Sequence, residues 1–183
     1  MELYEGDLTH YFSNIKNQTV SEKDLINIAI QITEGIQYLH NNNIIHGDLK
    51  PENIFYKIED NELKIKIGDF GFNDIKKFEF YGSLMYIAPE VIDFSSPHSI
   101  KSDIFSIGGI IYRMMKPDDE LMYVKSLKNN FDLNGLNYGE EIKALVLCLL
   151  NSDPSKRIST KKILKILEEK KKTIFDRQSN HIN

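Results

Sequence analysis

The chain has 183 residues, 41% hydrophobic and 27% charged, with a formal net charge of −4. That suits one soluble domain of ordinary size, or one lobe of something larger, and excludes a bulk nucleic-acid partner, which needs a basic face. A single cysteine, Cys148, excludes an internal disulfide and reads as core packing within ALVLCLL. No apolar run is long enough to span a bilayer, and MELYEGD lacks the basic start of a signal peptide. The expected compartment is intracellular, cytoplasmic or nuclear.

From Ser21 to His40 the apolar residues Leu25, Ile28, Ala29, Ile32, Ile36 and Leu39 recur at helical spacing. Ser21 followed by Asp24 resembles a capping box, and Asn41–Asn43 supply a stop. A short loop, HGDLKPEN at 46–53, comes next. NIFYKI and ELKIKI then flank the polar turn 59–62 and predict a strand pair. Residues 69–90 read as an extended loop. DIFSIGGIIYRMM (103–115) is apolar nearly all round and predicts a buried helix. Two further helices are expected over 140–150 and 159–171. The lysines 161, 162, 165, 170, 171 and 172 read as the solvated side of the last helix. The tail DRQSNHIN is expected to fray. The fold class is mainly α (α+β), a helical body with a small β-ribbon.

Phosphoryl transfer asks a protein for a group that orients the acceptor hydroxyl, for Mg²⁺ ligands, and for cations against the phosphates. The loop 46–53 holds all three kinds. Asp48 suits the acceptor proton, Lys50 the transferring phosphate, and Asn53 is a hard oxygen ligand for Mg²⁺. DFG at 69–71 follows the strand KIKIG, which makes Asp69 a second metal ligand at the ribbon's end. Each residue alone has a bland reading as a turn; their order and strand-and-loop context point to one site.

Over nearly all its length the chain resembles the eukaryotic protein kinase superfamily, in the C-terminal lobe. HGDLKPEN resembles the catalytic loop, DFG the metal motif, and GSLMYIAPE (82–90) the end of the activation segment. SDIFSIGG (102–109) and DPSKRIS (153–159) resemble the buried helix and the late arginine motif. The resemblance implies a buried Glu90–Arg157 ion pair and an Asp103 that holds the catalytic-loop backbone. It also implies a His46–Phe70 stack beside Gly71, and a Ser83 that bonds across to Asp48 and Lys50. Lys50 and Ser83 favour serine/threonine acceptors, and Tyr86 reads as packed rather than as a modification site. MELYEGDLTHYF resembles the hinge and first helix of that lobe. By it the backbone of Glu2 and Tyr4 faces adenine, Asp7 lies near the ribose, and Phe55 forms the floor. The implied cofactors are ATP and Mg²⁺, and the implied partners are ATP and a protein substrate. Some segments are similar to stress-sensor and eIF2α-type kinases, others to Wee-type kinases.

Residues 1–172 are thus expected to be the hinge and C-lobe of a kinase domain truncated at its N-terminus, and 173–183 a frayed tail. The N-terminal β-lobe, with its glycine-rich loop and phosphate-binding lysine, is absent and expected from upstream sequence. Without that roof, transfer by the lobe alone is expected to be slower by orders of magnitude. Two other readings stay open: a catalytically silent pseudokinase or regulatory module, and a small-molecule kinase of the aminoglycoside or choline type. Gly47 stands where most protein kinases carry an arginine that reads an activating phosphate. It argues against phosphorylation-dependent activation, and also eases a tight turn.

Overall fold

The computed structural model describes residues 3–14, 19–69, 83–117 and 130–179. In chain order these form β1 (Gly6–Asp7), α1 (Leu8–Asn14), α2 (Glu22–Asn41), β2 (Ile54–Glu59) and β3 (Glu62–Ile67). Then come α3 (Pro89–Ile92), α4 (Ile100–Met115), α5 (Glu140–Leu149) and α6 (Thr160–Ser179). Short 3-10 turns at Pro51–Asn53, Ser83–Tyr86 and Pro154–Lys156 link them. The result is a helical lobe with one antiparallel sheet of order β1-β2-β3.

The ribbon forms because Asp60 and Asn61 both take positive φ, 53° and 61°, which reverses the chain in two residues. Full register follows from Ile54 opposite Ile67 to Glu59 opposite Glu62. β1 is a two-residue edge, Gly6 and Asp7 lying opposite Tyr56 and Phe55. The ribbon packs on α2, where Gln31 caps its backbone twice: Nε2 donates to the Leu63 carbonyl and Oε1 accepts from the Ile65 amide, both at 2.9 Å. Gly35 lets β3 approach, since a Cβ there would stand 2.7 Å from Ile67 Cδ1.

α2 begins at Ser21, whose Oγ accepts from the Asp24 amide. α4 begins three residues earlier than its apolar run, because Ser99 and Ser102 close a reciprocal capping box. The body of α4 is buried from Ser102 to Met115 except at Arg113, so it forms the axis of the core, with α2 and α5 against it. Tyr86, read as packed, is buried, and its carbonyl accepts from Ser106 Oγ of α4 at 2.8 Å. Cys148 is only part-buried on α5 rather than in the core.

α6 lies along α2. It runs to Ser179, past the end at 171 expected from the sequence, with Ile174 packed on the core. The extra residues, Lys172 to Ser179, contain no glycine or proline to stop the helix, and the inward Ile174 anchors them. Among the described residues no helix is long and apolar enough to cross a membrane.

Candidate active site

The first residues of the loop 46–53 are held by α4. Asp103, in its first turn, is 1% exposed and pins the loop from below. Its Oδ2 accepts from the His46 amide at 2.9 Å and its Oδ1 from the Gly47 amide at 3.0 Å. His40, at the end of α2, adds a contact of 2.8 Å from Nε2 to Asp103 Oδ2; a carboxylate only accepts, so the imidazole donates. One buried carboxylate thereby joins α2, α4 and the loop.

His46 fixes the next step. Its ring spans Gly68, at the end of β3, and the loop itself: Nε2 lies 3.1 Å from the Gly68 carbonyl, and Nδ1 accepts from the Asp48 amide at 3.3 Å. Both bonds form only in the neutral ring protonated on Nε2. Burial agrees, pushing the His46 pKa below its usual value against the opposing pull of Asp103. Gly47 takes φ of 77°, which turns the chain so that Asp48 faces Asn53 and Lys50.

Asp48 Oδ2 lies 3.0 Å from Lys50 Nζ. Asn53 Nδ2 donates to the Asp48 carbonyl at 2.7 Å and to Asp48 Oδ2 at 3.0 Å. With the amide nitrogen spent on these bonds, the flip of Asn53 is set and Oδ1 is the atom left to accept from outside. The Asn53 carbonyl accepts from the Gly68 amide at 2.9 Å, which brings the loop beside Asp69. Asp69 is exposed, with φ of 53°.

Tyr4, Asp7 and Phe55 gather at the ribbon's outer end. The Tyr4 and Phe55 rings are 6.1 Å apart, and Asp7 lies opposite Phe55 in the sheet. Gly68 gives Phe55 its seat, since a Cβ there would stand 2.7 Å from Phe55 Cε2. The Asp7 carboxylate is engaged at home: Oδ1 accepts from the His10 amide at 2.9 Å and caps α1. Glu2, Phe70 and Gly71 lie outside the described residues, as does the side chain of Ser83, which opens a 3-10 turn.

Below the site, Arg157 donates to both oxygens of Glu90 at 2.6 and 2.7 Å. Its Nε bonds the Asn151 carbonyl, and its guanidinium lies 5.0 Å from the centre of the Phe105 ring.

A family model described as the protein kinase domain matches residues 1–167. The chain belongs to the protein kinase family. Kinases of several names are similar to it. A probable serine/threonine-protein kinase PLK of Dictyostelium discoideum is 36% identical over 81% of this chain and 16% of its own. The serine/threonine-protein kinase Nek8 of Danio rerio is 30% identical over 87% of this chain and 24% of its own. The interferon-induced, double-stranded RNA-activated protein kinase of Mus musculus is 31% identical over 90% and 33%. This kinase chain thus spans between about a sixth and a third of the length of those relatives.

Kinase family members use ATP and Mg²⁺, and the donor set here fits that ion. Among the described residues no three His, Cys, Asp or Glu side chains form a metal cluster. Mg²⁺ does not need one, because it takes one or two protein oxygens and fills its octahedron with phosphate and water. Asn53 Oδ1 and the Asp69 carboxylate are hard oxygens on neighbouring segments.

The sequence reading missed His40 and Gly68. A signal for His40 was present: it continues the inward row Ile32, Ile36 at a spacing of four. A polar residue on a core row needs a buried partner. Gly68 carries no such signal, because its role is to accept from His46 and to make room for Phe55.

Proposed function

We propose that the chain is the hinge and C-lobe, residues 1–172, of a serine/threonine protein kinase that moves the γ-phosphate of ATP to protein hydroxyls. The small lobe would come from sequence beyond this chain. The observation that carries the reading is the Asp103-pinned loop, which holds Asp48, Lys50 and Asn53 in one hydrogen-bonded group beside Asp69.

In this reading Asp48 orients the acceptor hydroxyl and takes its proton as the new oxygen–phosphorus bond forms and the bond to the ADP oxygen breaks. Lys50, held 3.0 Å from Asp48, places its ammonium against the charge that gathers on the transferred group. Asn53 Oδ1 and Asp69 would hold Mg²⁺, which neutralises phosphate charge when bound. Phe55 and Tyr4, with the backbone of Glu2 and Tyr4, would form the adenine shelf, and Asp7 would meet the ribose by giving up its bond to the His10 amide. Lys50 and Ser83 support the serine/threonine choice.

The test uses the purified chain with and without Mg-ATP. The melting temperature is expected to rise with Mg-ATP, and Asp69→Asn to abolish the rise. Asp48→Asn is expected to keep the rise while abolishing radiolabel transfer to casein serine and threonine. No rise in the wild type, with no transfer, would favour a silent binding module instead.

A further inference from the structure

An apolar groove of about 360 Å³ runs between α2 and α6 and shares no lining residue with the catalytic loop. Its floor is Ile26, 1% exposed, and Ile174; Phe175 stands on its wall, 68% exposed. Lys23 rims it from α2 and Lys171 and Lys172 from α6, against the single carboxylate of Glu168. Neither Lys23 nor Lys172 has an ion-pair partner among the described residues, whereas neighbouring Lys170 is 3.0 Å from Glu141. The rim is therefore net positive on a chain of net charge −4. The protein kinase match covers residues 1–167 and so ends just before the α6 residues that line the groove.

We propose that this groove docks an acidic segment of a partner protein whose apolar side chains are flanked by carboxylates. The lysines read from sequence as a solvated face are then, at Lys171 and Lys172, one half of a binding rim. An exposed aromatic beside a buried aliphatic floor is the form that interface anchors take, because covering it removes apolar surface from water. Ammonium groups stand on both walls. A peptide with carboxylates on either side of its anchor meets both walls at once, which a single anionic headgroup does not. An anionic membrane is also a poor match, because it favours a convex basic face and these lysines surround a concavity holding Glu168. Charges on such a rim set association rate and salt dependence. The proposal does not depend on phosphoryl transfer.

The experiment is fluorescence anisotropy of the full chain against a set of fluorescein-labelled peptides. Leu, Ile, Phe or Tyr pairs are placed at each short spacing, between glutamates in one half of the set and between lysines in the other. Members of the glutamate half are expected to bind saturably, and the lysine half not to bind. Phe175→Ala, and separately the pair Lys23→Glu with Lys172→Glu, are expected to weaken binding by about tenfold or more, and salt to weaken it further. These side chains are on the surface, and an unchanged circular-dichroism melt checks that the variants fold. The proposal is overturned if no glutamate peptide binds, if both halves bind alike, or if the variants bind like the wild type. It is equally overturned if phosphatidylserine vesicles bind through these residues and the peptides do not. Self-association lost in the same variants, without peptide binding, would assign the groove to a second copy instead.

Discussion

Gly47 takes φ of 77° while its amide donates to Asp103, so the backbone cannot relax without giving up a buried bond. An L-residue in that region costs about 1–2 kcal/mol. Gly47→Ala is therefore expected to lower the unfolding free energy by about that amount in urea, and an unchanged midpoint would refute it. The glycine's two sequence readings separate here. The tight turn is visible in the backbone, while the missing phosphate-reading arginine concerns regulation. His46 gives a pH prediction. Its folded pKa is lowered, so below the usual 6.5 the unfolded chain binds the proton first and stability falls with pH until the folded pKa is passed. Protonation also puts a hydrogen on Nδ1, where the Asp48 amide now donates. Melts between pH 7.5 and 5.5 are expected to show a smaller acid loss for His46→Phe than for the wild type. An equal loss in both would remove His46 from the cause. His46 was legible from its motif, but its tautomer was not, because that depends on the Gly68 carbonyl across the fold.

At the scale of elements, Arg157 holds α3 and α4 to the turn before α6. It reaches Glu90 with two bonds, the Lys101 and Asn151 carbonyls with others, and the Phe105 face. Lys101 returns the contact, its Nζ donating to the Arg157 carbonyl. Arg157→Ala would leave the Glu90 carboxylate buried without its partner, and the expected loss is about 3–5 kcal/mol. Arg157→Lys should recover little, since an ammonium cannot form the paired bonds. The double change Glu90→Leu with Arg157→Met should cost less than Arg157→Ala alone, because no charge is stranded. Urea unfolding of the three variants checks the order, and a loss under about 1 kcal/mol for Arg157→Ala would contradict it. The elements legible in sequence were those with a long apolar period, α2 above all. β1 was missed because a pair of residues has no period. The start of α4 was missed because its box uses Ser102 where glutamate or glutamine is the usual sign.

For the whole molecule, the class of fold was readable because the helical and strand periods lie in separate stretches of chain. The joint between them was not, since a carboxylate in α4 holds a loop whose residues are 56 and 57 positions away. That joint makes the site and the core a single unit. The buried cluster draws on α1, α2, the loop residue Leu49, β2, α4, α5 and α6 together, with Ile107 fully buried in α4. Loss of α4 would release Asp103 and with it His46 and Gly47, so no intact site can outlast the core. The chain has nine tyrosines and no tryptophan. Near-ultraviolet tyrosine dichroism, to which buried Tyr86 and Tyr112 contribute, thus reports packing, and the far-ultraviolet signal reports helix. The two melts are expected to coincide. Ile107→Ala is expected to cost about 3 kcal/mol and to lower both midpoints together, by roughly 6–12 °C. Tyrosine dichroism that disappears well before the helical signal would mean instead that the loop and its pins open independently of the helices beneath them.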